Sequence, residues 1–263
     1  MDAARVAAER GHRVTLIERS EHLGGRFRLA AKQPKRHEIG EFLTWLEGQL
    51  TKHQVGIRRA TALSVDQVKE MGADEIILAT GSRTGTDGFQ RALPHVGQLP
   101  GADLPHVRSA EDALDDLGDL GGRILIIDDD GGWRGVGTAL YLTDKGHAVT
   151  ILTAGLHPGQ DIAHTASVGL MMKDLTAAGI AMLTSSAVLA IEERVVRVKN
   201  LLTGVESEAE ADSVVLATLP RAETGLAAEL DRAGLAVTAI GDCVAPRKAS
   251  MALFEARRAA LAI

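Results

Sequence analysis

The chain has 263 residues, 45% of them hydrophobic, and a formal net charge of −6. That length and apolar content suit one large domain or two of ordinary size. The negative balance argues against a nucleic-acid partner, because phosphate binding needs clustered positive charge to displace counterions. The basic run Lys32–Arg36 is short and reads as a solvated face. A single cysteine, Cys243, excludes an internal disulfide, a redox dithiol and a cysteine-held zinc or iron–sulfur site within these residues. No apolar stretch approaches the roughly 20 residues that span a bilayer, so no membrane partner is expected. Asp2, Arg5, Glu9 and Arg10 leave no room for the apolar part of a signal peptide, which predicts a cytoplasmic location.

In chain order, Met1–Arg10 reads as a small-residue helix and Gly11 as its C-cap. Val14–Glu18 then reads as a buried strand, and Gly24 and Gly25 as a loop beyond it. Val55-Gly56-Ile57 opens another strand, and Ile76–Leu78 a third that runs into Ala79-Thr80-Gly81. The same order then returns. Arg10-Gly-His-Arg-Val-Thr-Leu-Ile matches Lys145-Gly-His-Ala-Val-Thr-Ile-Leu at an offset of 135. Ala178-Gly179-Ile180 answers Val55-Gly56-Ile57, and Glu210-Ala-Asp-Ser-Val-Val-Leu-Ala-Thr answers Gly72-Ala-Asp-Glu-Ile-Ile-Leu-Ala-Thr at an offset of 138. Three matches in one order indicate a repeated strand–helix–strand unit. Its strands are short and continuously apolar, which predicts parallel sheets buried under helices on both faces.

The copies differ at the start. The second has a strand, Arg123–Asp128, then the turn Asp130-Gly-Gly-Trp-Arg-Gly135 and the helix Val136–Lys145. Residue 1 aligns with Val136, so the first copy is expected to begin at its helix, with its opening strand and glycine turn lying before Met1. The predicted fold class is α/β: two Rossmann-like doubly wound domains, one inserted in the other, the first truncated at its N-terminus.

The segments Val14–Glu18, Leu23-Gly-Gly-Arg26, Ile76-Ile-Leu-Ala-Thr-Gly81 and Ile240-Gly-Asp-Cys-Val-Ala-Pro246 together resemble the C-terminal half of the trimethylamine dehydrogenase and 2,4-dienoyl-CoA reductase family. These are NADH:flavin oxidoreductases of the old yellow enzyme type. The resemblance spans essentially the whole chain, and Asp128-Asp-Asp-Gly-Gly-Trp-Arg-Gly135 leans toward its amine-dehydrogenase branch. It implies a discontinuous first domain, residues 1–105 plus 236–263, that holds FAD or ADP, and a second NAD(P)-type domain, residues 106–235. In that family FMN and a 4Fe-4S cluster belong to a barrel half that these residues do not include.

The candidate cofactor-binding residues follow. Glu18, at the end of a second strand, suits a ribose hydroxyl pair. Gly24 and Gly25 permit close backbone approach to a ligand. Thr80 and Gly81 end a strand where ligands of open α/β sheets sit. Gly241 and Asp242 are the strongest candidates: the resemblance puts a sugar or ribityl hydroxyl on the Asp and phosphate at the following helix N-terminus. N-capping is the structural alternative for Asp242. The resemblance adds Arg19, Arg26 and Leu63 to this set. Asp130, Gly132 and Gly135 fall in the phase of a G-x-G-x-x-G fingerprint with its first glycine replaced by an acid. Trp133 and Arg134 add bulk there, and Thr153 stands where the first copy has Glu18. This second site reads as vestigial, and NAD(P) binding is not expected there.

No catalytic set and no metal site can be assembled; Cys243, His12, His147 and His157 read as structural. The expected function is the cofactor-carrying part of a flavin-dependent oxidoreductase that passes electrons to an acceptor protein. The alternatives are a stand-alone NAD(P)H-dependent FAD reductase and a non-catalytic ADP-binding module.

Overall fold

A computed structural model describes residues 1–116 and 118–263. The chain forms two compact units, one of Met1–Arg28, Glu38–Arg83 and Pro220–Ile263, the other of Leu29–His37 and Thr84–Leu219. The boundaries expected from sequence, at 105/106 and 235/236, differ from these. Residues 84–105 group with the second unit because Leu99 and Ala102 pack with Leu125, Ile127 and Val188. Residues 220–235 group with the first because Leu230 packs with Val68 and Leu78.

The first unit opens with α1 (Asp2–Glu9), β1 (Thr15–Ile17), α2 (Arg26–Ala30, which crosses into the second unit), α3 (His37–Lys52), β2 (Gly56–Arg58), α4 (Val65–Glu70), β3 (Ile77–Leu78) and β4 (Ser82–Arg83). The second contains β5 (Val107–Ser109), α5 (Ala110–Leu114), β6 (Arg123–Asp128), α6 (Trp133–Asp144), β7 (Ala148–Leu152), α7 (Val168–Ala177), β8 (Ala181–Leu183), β9 (Ser186–Ile191), β10 (Val195–Asn200), β11 (Glu206–Glu210) and β12 (Ser213–Ala217). The first then resumes with β13 (Arg221–Ala222), α8 (Gly225–Arg232), β14 (Thr238–Ala239) and α9 (Ala249–Ala262).

In the first unit β1 pairs in parallel with β2, Thr15 opposite Gly56. β3 pairs in parallel with β14, Ile77 opposite Thr238. Among the described residues no ladder joins β1 to β3. α1 owes its close seat on α9 to small side chains: Ala3, Val6 and Ala7 meet Ala256, Ala259 and Ala260. Along α1, Arg5 pairs with Asp2 at 2.9 Å and with Glu9 at 2.8 Å, the spacings that face each other on a helix.

In the second unit five parallel strands run in the order β5-β12-β6-β7-β8. The apolar run of β6 feeds both faces. Ile124 and Ile126 join a cluster with Val136, Ala139, Leu142 and Leu175 of α6 and α7. Leu125 and Ile127 join Val188, Ile191, Val196 and Val198. Each of these buried Ile, Leu and Val side chains contributes about 1.5–3 kcal/mol. The second face is thus covered by the antiparallel sheet β9-β10-β11 and not by helices as expected. β10 alternates buried Val196 and Val198 with exposed Arg197, the period of a half-buried strand.

The repeat appears bond for bond. Gly11 (φ +96°) and Gly146 (φ +93°) end α1 and α6. His12 donates its N–H to the Ala7 carbonyl at 3.2 Å, and His147 to that of Leu142 at 3.1 Å, 135 residues on. β1 with β2 matches β7 with β8, where Thr150 lies opposite Ala181. In the second unit β6 stands between β12 and β7; the first has no described counterpart of β6.

Candidate functional site

Three strands of the first unit carry the candidate residues at their carboxyl ends. β1 runs into Glu18, whose N–H donates to Arg58 and whose carbonyl accepts from Thr61, each at 2.9 Å. The half-buried Glu18 side chain accepts the Ser20 N–H at 2.8 Å, which holds a carboxylate at the strand end. Arg19 beside it is exposed.

Gly24 and Gly25 turn the chain into α2, with φ +100° and +50°. A Cβ on Gly24 would lie 2.9 Å from a methyl of Leu43, so packing against α3 accounts for that glycine. At Gly25 and at Gly81 (φ +78°) a Cβ would meet nothing within 4 Å. Both backbones therefore face open space in a conformation that favours glycine.

Arg26 donates to the Ser82 hydroxyl at 2.7 Å, and Ser82 donates to Asp242 Oδ2 at 3.1 Å. Asp242 Oδ1 accepts the Arg247 N–H at 3.2 Å. Gly241 (φ +69°) reverses the chain after β14, and its N–H donates to Glu255 Oε2 at 2.7 Å. That N–H and the Arg247 guanidinium hold the Glu255 carboxyl below its ordinary range. The structure thus brings Arg26, Gly81, Gly241 and Asp242 together through Ser82, a residue the sequence reading missed. Its only signal is its place directly after Thr80-Gly81.

Two candidates have other partners. The Thr80 hydroxyl donates to the Glu223 carbonyl at 2.9 Å. Leu63 packs its side chain against the cluster of Val68, Leu78 and Leu230. Buried Cys243 donates its thiol to the carbonyls of Leu78 and Ile240, at 3.3 and 3.1 Å, as a small core residue.

In the second unit a cavity of about 410 Å³ lies at the carboxyl ends of β6 and β7, lined among others by Arg91, Asp128, Asp129, Gly131 and Thr153. Trp133 and Arg134, expected to obstruct this region, are turned elsewhere. The Arg36 guanidinium stacks 4.6 Å from the Trp133 ring. Arg134 pairs with Glu111 at 2.7 Å and donates to the Thr218 carbonyl. Two acids lie against the turn, Asp130 beside Gly132 and Asp128 beneath it. Asp128 Oδ1 accepts the Gly131 N–H at 3.2 Å and its Oδ2 the Gly159 N–H at 2.9 Å. A Cβ on Gly135 would lie 2.5 Å from Asp128 Oδ1, and one on Gly132 would lie 2.7 Å from Asp130 Oδ2. Burial pushes the Asp128 carboxyl up to about 6 against these N–H donors, with Asp130 adding repulsion. Asp129 is buried, salt-bridged to Arg91 at 3.5 Å, and also raised by burial.

No group of three or more metal-ligating side chains occurs among the described residues, and none of the described helices is long and apolar enough to cross a membrane.

Residues 1–249 match the family described as pyridine nucleotide-disulphide oxidoreductase. The N,N-dimethylglycine/sarcosine dehydrogenase of Chromohalobacter salexigens is 30% identical over 292 aligned positions, which cover 98% of this chain and 41% of that protein. The dimethylamine dehydrogenase of Hyphomicrobium sp. (strain x) is 28% identical over 98% of this chain and 39% of its own length. The solved structure of 6-hydroxypseudooxynicotine amine oxidase from Pseudomonas geniculata N1 superposes with a TM-score of 0.92 at 30% identity, over 98% of this chain and 39% of that one. The chain therefore spans about two fifths of the length of each of these three relatives.

Proposed function

The chain belongs to the pyridine nucleotide-disulphide oxidoreductase family, and on that premise we propose that it is the cofactor-carrying part of a flavin-dependent oxidoreductase similar to amine dehydrogenases, with FAD or ADP held by its first unit. The observation that carries this reading is the Arg26–Ser82–Asp242 chain of hydrogen bonds at the ends of β3 and β14. It places a guanidinium, a hydroxyl and a carboxylate beside left-handed glycines. That donor set suits a nucleotide: the carboxylates of Glu18 and Asp242 accept from sugar hydroxyls, Arg26 attracts phosphate, and Gly25 and Gly81 leave room for its approach. Bound FAD would supply the electron-carrying ring; the residues described here bind and orient it.

The second unit suits a nicotinamide nucleotide poorly. Asp128 already uses the N–H groups of Gly131 and Gly159, and a carboxylate in that place repels pyrophosphate. Two unit charges 5 Å apart repel by roughly 3 kcal/mol at an effective dielectric near 20. This speaks against a stand-alone NAD(P)H-dependent reductase. Nor do these residues offer the paired thiols of a disulfide reductase, since Cys243 stands alone. In our reading electrons leave through an acceptor protein, in the cytoplasm, and the substrate chemistry lies in residues outside this chain.

The test is the nucleotide that copurifies. A yellow protein absorbing near about 450 nm supports FAD, and a colourless one that releases ADP on denaturation supports the ADP form. A protein that neither retains nor rebinds either nucleotide defeats the proposal.

A further inference from the structure

The Gly241–Asp242 turn is held from α9. Ile240 makes the last ladder bond of β14, donating to the Leu78 carbonyl at 2.9 Å. The next N–H, that of buried Gly241, has left the ladder because φ +69° turns the chain away. A buried N–H without an acceptor is strongly unfavourable, so this one needs a partner from elsewhere. Glu255, in the second turn of α9, supplies it at 2.7 Å. The other Glu255 oxygen accepts from the Arg247 guanidinium at 2.5 Å. The backbone N–H of the same Arg247 donates to Asp242 Oδ1 at 3.2 Å. Gly241, Asp242, Arg247 and Glu255 therefore close a ring through covalent and hydrogen bonds, and the ring fixes the orientation of Asp242.

We propose that Glu255 is a positioning residue for the nucleotide, presetting Asp242 through Gly241 and Arg247. The proposal rests on the reading of the first unit as a nucleotide site. Glu255 makes no use of a ligand contact; it keeps the turn in one conformation, so that binding does not have to order it. A carboxylate suits this task because one oxygen serves the backbone while the other holds a guanidinium.

The experiment has two arms, both on the full chain. FAD and ADP affinities are measured by calorimetry for the native protein, Glu255→Ala, Asp242→Ala and the double variant. Amide exchange of the segment 240–248 is followed by mass spectrometry in the native protein, Glu255→Ala and Glu255→Gln. The expected results are about tenfold weaker binding in Glu255→Ala and faster exchange in that segment. Glu255→Gln, which keeps an acceptor for Gly241 but loses the ion pair, falls between. Adding Glu255→Ala to Asp242→Ala changes affinity less than about twofold, because both act through one contact. Fully additive losses, or unchanged exchange, overturn the proposal. Should the native protein bind neither nucleotide, the site reading fails, and the exchange arm alone decides the clamp: faster exchange supports it, unchanged exchange defeats it. If Glu255→Ala does not fold, the Glu255→Gln comparison decides in its place.

Discussion

The carboxylate of Asp128 accepts the N–H of Gly159 at 2.9 Å across a separation of 31 residues. Burial nevertheless raises this carboxyl from 3.8 to about 6. Between those two values the folded state therefore holds a proton that the unfolded state has released. The associated stability is complete below the ordinary carboxylate range and is lost as pH rises through about 6. At about 1.4 kcal/mol per pH unit the loss amounts to about 3 kcal/mol. Urea unfolding of the native protein and of Asp128→Asn, run from acid to neutral pH, should show the difference in stability between the two shifting by about 2–3 kcal/mol in favour of the variant. Parallel curves would place the Asp128 carboxyl at its ordinary range.

The same carboxylate sets an expectation for nicotinamide nucleotides. Calorimetric titration with NADH and with NADPH should give no dissociation constant below roughly 10 μM, about 7 kcal/mol of binding. Tighter binding by either would mean that Asp128 withdraws from Gly131 and Gly159 at little cost.

Asp242 and Thr153 offer a comparison between the units. Asp242→Ala should weaken FAD or ADP by about 1.5–3 kcal/mol, the usual cost of losing a charged hydrogen-bond partner. Thr153 is buried, and its hydroxyl accepts the Gly155 N–H at 3.2 Å. Thr153→Ala should leave nucleotide affinity unchanged. Equal effects, or a larger one at Thr153, would move the nucleotide to the second unit.

The divided sheet of the first unit has its own signature. Two parallel pairs of two- and three-residue strands carry far fewer ladder bonds than the five strands around β6. Hydrogen exchange should therefore be faster in β1, β2, β3 and β14 than in β6, β7 and β12. Equal exchange in the two sets of strands would show that the short pairs are held as firmly as the five-stranded sheet.

Much of this was legible because the signals are local. The helix end at Gly11 and Gly146, and the apolar run of β6, each depend on a few adjacent residues. What stayed hidden depended on partners far along the chain. Ser82 and Asp242 meet across 160 residues. Leu99 and Ala102 reveal their unit only by the side chains they touch. In the sequence Asp128 is simply the end of a strand, and its reach to Gly131 and Gly159 shows only in the folded turn. The antiparallel strands β9 to β11 went unread because the first copy offers nothing to compare with them. Their alternation, Val196-Arg197-Val198, was nonetheless in plain view.

The interruption of the first unit by Thr84–Leu219 also orders events during synthesis. Ser82 leaves the ribosome long before Asp242, by about 10 s or more at ordinary rates of elongation. In that interval the second unit has all its strands and can fold, while β3 waits without β14 and α1 without α9. A nascent or truncated chain lacking residues 238–263 would present apolar faces of Val6 and Ile77 that α9 and β14 normally cover. The Gly241–Asp242 turn, and with it the Ser82–Asp242 hydrogen bond, is then among the last features of the first unit to appear.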